Sequence, residues 1–339
     1  MLVDLRSDTV TRPTPAMRRA MADAEVGDDQ YREDPTVEAL QEETAALLAT
    51  EAALYCPTGT MANQAALMAL TRPGDAVVAG ARQHLVLYEH GAGPRNAGVT
   101  WLTVADATGE LDPELVEQAA VGADYHHPRA TLVALEDTHM AAGGTVWSPA
   151  AKDAVVAVAR RHGLPVHLDG ARLWHAAAAR QVEPSAITAG ATTVMCCLSK
   201  GLGAPIGSLL GGPADVVAAA REQRHRLGGA WRQAGVVAAA GLVALRTMRE
   251  RLVEDHGRAG RLADAVATRW PASSFDPAAV QTNIVAFEHP SPAELLDHLA
   301  GQGVLGGTVA PGVVRLVTHH DVDDEGIERA VKALAAAPV

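Results

Sequence analysis

Three lysines, Lys152, Lys200 and Lys332, stand among 28 basic residues, and all the others are arginine. In such a chain a lysine is a chemical choice. Lys152 and Lys332 fall in stretches of helical composition and read as solvated charges. Lys200 instead follows the apolar run TTVMCCLS and precedes GLGAPIG, where a buried strand gives way to a glycine-rich turn. Holding an ammonium at the mouth of a core strand is costly, and that cost favours the free amine that a Schiff base needs. The competing reading is a lysine that snorkels out from a strand end.

The segment LPVHLDGAR puts Asp169 at the C-terminal end of another buried strand, the edge at which open α/β sheets build their sites. A carboxylate there can keep a pyridine nitrogen protonated and so make the ring an electron sink, or it can simply cap the next helix. CPTGTMAN supplies a candidate phosphate cradle: a strand, the turn Thr58, Gly59 and Thr60, then a helix start with free backbone N–H groups. The same turn also suits ordinary capping. Ser199 adds a donor and Arg232, in GGAWRQAG, a counter-charge. A reactive amine, a carboxylate for a ring nitrogen and a phosphate grip are together the requirements of pyridoxal 5'-phosphate.

Composition agrees with a small-molecule enzyme. The formal charge of −12 disfavours phosphate-rich partners, so neither nucleic acid nor an anionic membrane surface is expected. Hydrophobic residues make up 48% of the chain but Phe, Trp and Tyr only 3%, so the core must be built from Ala, Val and Leu. The three cysteines show no CxxC spacing, and MLVDLRSDTVTRP lacks the apolar stretch of a signal peptide, which points to a cytoplasmic protein. The 14 histidines form no HExxH-type signature, and no catalytic metal is expected.

To position these residues the chain needs strands that end together. Apolar runs at 52–56, 76–80, 100–104, 131–135, 165–168, 192–198 and 207–210 alternate with helical stretches at 35–50, 62–70, 150–162, 214–223 and 233–256. That alternation predicts an α/β domain on a mostly parallel seven-stranded sheet. The last helix is expected to continue to about Arg269. Strands near 283–287 and 313–317 then suggest a smaller C-terminal α+β domain, giving domains 1–245 and 246–339. The N-terminal arm reads as too irregular to build core, and the alanine runs at 176–179 and 335–337 as helix surface.

The motifs LRSDTVTRP, VGDDQYREDPTVEALQ, PTGTMAN, LEDTH, VHLDGAR, CLSKGLGAPIGSLL, WRQAG and VRLVTH span nearly the whole chain, which resembles the L-threonine aldolases of the fold type I (aspartate aminotransferase-like) pyridoxal-phosphate enzymes. The resemblance implies retro-aldol cleavage of L-threonine, L-allo-threonine and related β-hydroxy-α-amino acids to glycine and an aldehyde. By position it makes Lys200 the Schiff-base lysine, Asp169 the partner of the pyridine nitrogen, and Gly59 with Thr60 the phosphate grip. It stacks His84 on the cofactor ring, and gives Ser7, Arg172 and Arg315 to the substrate carboxylate and His126 to the substrate hydroxyl. Either His84 or His126 is the candidate base; His127 is adjacent to His126, at most one of the two faces the site, and His139, His319 and His320 are further candidates. It also implies a homodimer or homotetramer with sites at the subunit interface.

From the residues alone, Arg315 could equally form an interdomain or intersubunit salt bridge, and His84 could be a satisfied core histidine. The family commonly reads ENTHN where this chain has Glu136-Asp137-Thr138-His139-Met140, and Leu85 and Val86 are aliphatic, so the substrate side-chain pocket is expected to differ. Another pyridoxal-phosphate lyase, a transaldolase or a racemase could use the same scaffold. A non-catalytic α/β binding protein would require the set Lys200, Asp169 and Arg172 to be coincidental.

Overall fold

A computed structural model describes residues 2–121 and 125–338. Its strands in chain order are β1 (Val3–Asp4), β2 (Ala52–Cys56), β3 (Ala76–Gly80), β4 (Thr100–Val104), β5 (Ala130–Glu136), β6 (Val166–Gly170), β7 (Thr193–Cys197), β8 (Ser208–Gly212), β9 (Ile284–Glu288), β10 (Val304–Leu305), β11 (Gly307–Ala310) and β12 (Val313–Val317). Seven of them form one sheet in the order β2-β8-β7-β6-β5-β3-β4, and β8 alone runs against the rest.

The sheet is covered on both faces, so its strands read as continuous apolar runs. In β7, Val194 and Cys196 enter the largest core while Met195 and Cys197 pack with Ala62, Ala65 and Ala66 of the helix Gly59–Leu70. Small alanines on that helix let it lie close to the sheet. Parallel direction brings the C-terminal ends of β2, β3, β5, β6 and β7 to one edge, so residues far apart in sequence meet there.

A second sheet, β11-β12-β9, is antiparallel and builds its own core with the helices Leu252–Arg269 and Asp324–Ala335. Its core includes Val3 and Leu5, and β1 pairs in parallel with β10. Met17, on the helix Pro15–Ala22, enters the larger core. The N-terminal arm therefore does build core, contrary to the expectation from its irregular sequence. Ala176 and Ala177 are likewise buried, not surface.

The long helix expected from 233 onward is two helices, Gly235–Thr247 and Leu252–Arg269. The break has a local cause. The Leu245 carbonyl accepts 2.7 Å from Arg249 Nε, and Arg251 grips Asp255 with two nitrogens at 2.9 and 2.7 Å, tying down the start of the next helix.

Candidate active site

Asp169 closes β6 with its side chain buried. Oδ1 accepts from the backbone N–H of Ala171 at 3.0 Å, so it does cap the following turn, and Oδ2 accepts from Asn63 Nδ2 at 2.8 Å. Asn63 also donates 2.9 Å to Glu89 Oε1, which spends both of its amide protons on carboxylates. Its Oδ1 accepts from His167 Nε2 at 3.0 Å, and Thr193 Oγ1 lies 2.9 Å from His167 Nδ1. Burial pushes the pKa of His167 down to about 4, so the ring is neutral and the chain of donors is fixed.

His84 begins a single helical turn, His84–Leu87, just past β3. Its Nδ1 lies 3.2 Å from Glu89 Oε1, and its backbone N–H donates 2.6 Å to Glu136 Oε2. Burial opposes charge on the ring, but the Glu89 hydrogen bond and the nearby Asp169 outweigh it, and the His84 pKa stands above its ordinary value. Ligand atoms of His84, Glu89 and Asp169 lie within 4.8 Å of one another, a spacing that a cation could also use. Both carboxylates already accept amide protons there. Glu136, buried at the end of β5, has its own pKa raised by burial.

Lys200 stands two residues beyond Leu198, half-buried, next to half-buried Ser199, in a turn closed by Gly203 N–H donating to the Lys200 carbonyl at 2.8 Å. Its charge acts on both Asp8 and His84. At the end of β2, Thr58 caps the helix Gly59–Leu70 by accepting from Met61 N–H at 3.1 Å. Thr58 and Thr60 are exposed. A Cβ on Gly59 would sit 3.0 Å from Cys197 Sγ and 3.3 Å from Met195 Cε, so glycine lets this turn settle directly onto β7.

The two expected arginines differ. Arg172 is buried and bidentate with Asp8, at 2.8 and 2.7 Å. Burial opposes ionisation of Asp8, but the Arg172 charge prevails and holds the carboxyl well below the usual range. Arg172 thus carries a carboxylate of its own, one that sequence reading could not foresee across 164 residues. Arg315, on β12, has no carboxylate among the described residues. Nη2 donates 3.0 Å to the Arg6 carbonyl, Nη1 lies 3.5 Å from Met140 Sδ, and the buried Nε has no partner. Burial, then the charge of Arg172, lowers its pKa. Ser7 accepts from Thr9 N–H at 3.2 Å and remains half-buried.

Other expected residues are not brought together within one chain. His126 is exposed on the turn before β5, at the opposite end of that strand from Glu136. Arg232 is exposed and donates to Asp28 at 3.2 Å and Gln30 at 2.6 Å rather than to the cradle. His139 is 3.0 Å from Asp106, and His319 donates to the Asp4 carbonyl at 2.7 Å. Leu85 belongs to the core under the sheet. Lys152, expected to be solvated, is buried with its ammonium donating to the Ile187 carbonyl. Asn63, Glu89, Asp8 and Glu136 were missed as site residues, although Asn63, Asp8 and Glu136 lay inside the quoted motifs PTGTMAN, LRSDTVTRP and LEDTH.

The donor set fits pyridoxal phosphate. Asp169 suits a ring nitrogen, the glycine-faced helix start with two exposed hydroxyls suits the phosphate, and Lys200 lies between those elements at the same sheet edge. The model of the beta-eliminating lyase family matches residues 4–290. The probable low-specificity L-threonine aldolase 2 of Arabidopsis thaliana is 39% identical, covering 96% of this chain and 94% of its own. The low specificity L-threonine aldolase of Escherichia coli is 38% identical with 96% of each chain covered. The solved threonine aldolase of Leishmania major superposes with a TM-score of 0.82 at 20% identity, over 98% of both chains. From the site and these likenesses together, the chain belongs to the beta-eliminating lyase family and is a fold type I, pyridoxal-phosphate-dependent enzyme.

Proposed function

We propose that this enzyme is an aldehyde-lyase that cleaves L-threonine, L-allo-threonine and related β-hydroxy-α-amino acids to glycine and an aldehyde. The observation that carries it is Arg315: a half-buried guanidinium with an unpartnered Nε, in the neighbourhood of Asp8, Arg172 and Lys200, waiting for an anion. An amino-acid carboxylate meets that need, and the curated relatives act on such substrates by name.

Bound pyridoxal phosphate supplies the electron sink for the pair released when Cα–Cβ breaks. The residues of the chain do the rest. Lys200 would provide the amine that holds the cofactor, and Asp169 would face its ring nitrogen and favour a proton there. Thr58, Gly59, Thr60 and Ser199 would grip its phosphate. Arg315 and Ser7 hold the substrate carboxylate, and Arg172 seats Asp8 beside them. Fixing the carboxylate selects which bond at Cα is set to break. The β-hydroxyl proton passes to His84, or to His126 of a neighbouring subunit.

That last option belongs to the assembly we propose, a homodimer or homotetramer with sites at the interface, in the cytoplasm. Tyr31, 72% exposed, together with exposed Arg232, His126, Thr58 and Thr60, supports an interface there. No helix among the described residues is long and apolar enough to cross a membrane. Replacing Lys200 by Ala should abolish both the near-visible absorbance of the purified enzyme and aldehyde release from threonine. An unchanged spectrum would sink the assignment, and pyruvate without aldehyde would redirect it to elimination.

A further inference from the structure

Glu89 ends the segment ARQHLVLYE that carries His84, and no role follows for it from the sequence, yet its side chain is fully buried behind His84. We propose that Glu89 is a positioning residue for His84, holding the ring with its proton on Nδ1 so that Nε2 is the nitrogen that exchanges protons with substrate. This rests on the function proposed above.

The case is one of donors and acceptors. Glu89 Oε2 accepts from Gln64 Nε2 at 2.6 Å; Oε1 accepts from Asn63 Nδ2 at 2.9 Å and faces His84 Nδ1 at 3.2 Å. The orientation of Gln64 is set by Asn96 Nδ2, which lies 3.4 Å from Gln64 Oε1, and that of Asn63 by His167. Both Glu89 oxygens therefore receive amide protons. Two amide donors favour an oxygen pair that accepts, and a proton shared between Oε1 and Nδ1 rests on the more basic imidazole, so Glu89 is the acceptor. His84 Nδ1 must then be the N–H, and neutral His84 keeps its lone pair on Nε2.

The remaining groups around His84 act on its charge without fixing its tautomer. Tyr88 stacks on the ring at 5.8 Å, Glu136 binds the backbone N–H, Asp169 favours the charged ring and Lys200 opposes it. Glu89 alone touches a ring nitrogen among the described residues. It selects the nitrogen that reacts and stabilises the imidazolium once Nε2 has gained a proton. Through Asn63, the carboxylate that serves the ring nitrogen and the one that serves His84 share a single amide, so the two are held in fixed relation.

The test uses 15N-histidine-labelled enzyme, with the His84 signal identified by its loss in His84→Asn. Long-range 1H–15N correlation should show neutral His84 as the Nδ1–H tautomer. Glu89→Gln should lower its titration midpoint by about one pH unit, with Glu89→Asp intermediate, and should move the acid limb of kcat/KM the same way while kcat falls about tenfold. A merely structural Glu89 would lower thermal stability and leave both midpoints in place. An Nε2–H tautomer in the wild-type protein overturns the proposal without any variant, and so does a Glu89→Gln or Glu89→Asp enzyme whose midpoint and acid limb are unmoved. Wild-type enzyme that releases no aldehyde would refute the aldolase reading instead, and the tautomer measurement would still decide Glu89.

Discussion

The floor of the site and its rim are built on opposite principles. On the floor, Asp169, Asn63, Glu89, His167 and Thr193 form a buried network in which each polar group has its partner, and Arg172 is matched by Asp8. At the rim, Arg315 Nε is buried without a partner, no carboxylate among the described residues pairs with Lys200, and Thr58 and Thr60 are exposed. A satisfied network rigidifies what it surrounds, whereas an unspent donor marks where something arrives and leaves. The floor suits a resident ring and the rim suits groups that turn over.

Breaking the floor should cost most. Asp8→Asn leaves Arg172 buried and uncompensated, a loss of about 3–5 kcal/mol of stability measurable by denaturant unfolding. Because the folded Asp8 carboxyl lies below its unfolded value, its contribution is full above about pH 4 and is lost as pH falls further, so the deficit of the variant should be flat from pH 6 to 8 and shrink in acid. A deficit that grew in acid would contradict the pairing.

Gly59→Ala tests the seam between floor and rim. The added Cβ meets Cys197 and Met195, and should cost about 1–3 kcal/mol, read mainly as weaker cofactor retention. Full retention at wild-type affinity would show that the turn is not the phosphate cradle.

The smallest effect concerns Asp137, beneath the floor. Neither oxygen has a well-formed hydrogen bond, and burial outweighs the nearby Trp147 backbone N–H and pushes its pKa up to about 7. A raised folded value means its favourable contribution is present below the unfolded pKa and disappears as pH rises to 7. Asp137→Asn should therefore match the wild type near pH 4 and exceed it by on the order of 2 kcal/mol at pH 8. Equal pH profiles for the two proteins would show that Asp137 has a charge partner after all.

Much of this was legible in the sequence where one element decides the outcome. β2 and β3 are buried almost throughout and begin and end where their apolar runs do, and the edge strand β4 and the Arg315-bearing β12 also keep their expected bounds. Lys200, Asp169 and Gly59 were legible because each sits at such a run's end. What escaped was non-local. The pairing of Asp8 with Arg172, the service of Glu89 to His84, and the capture of the Leu245 carbonyl by Arg249 leave no periodic trace. Lys152 is different: it shares the stripe 152, 155, 156, 159 with buried Val155, Val156 and Ala159, so helical period marked it as buried while residue type suggested solvent. The period was the better guide.

The difference between floor and rim is tested most directly by Arg315→Ala, comparing absorbance of the bound cofactor with the kinetics of aldehyde release from L-threonine. The floor does not depend on Arg315, so the variant should retain the cofactor band of the wild type. It should lose about 10²–10³-fold in kcat/KM through loss of a charged hydrogen-bonding partner. Loss of the cofactor band, or turnover of threonine at an unchanged kcat/KM, would contradict the account.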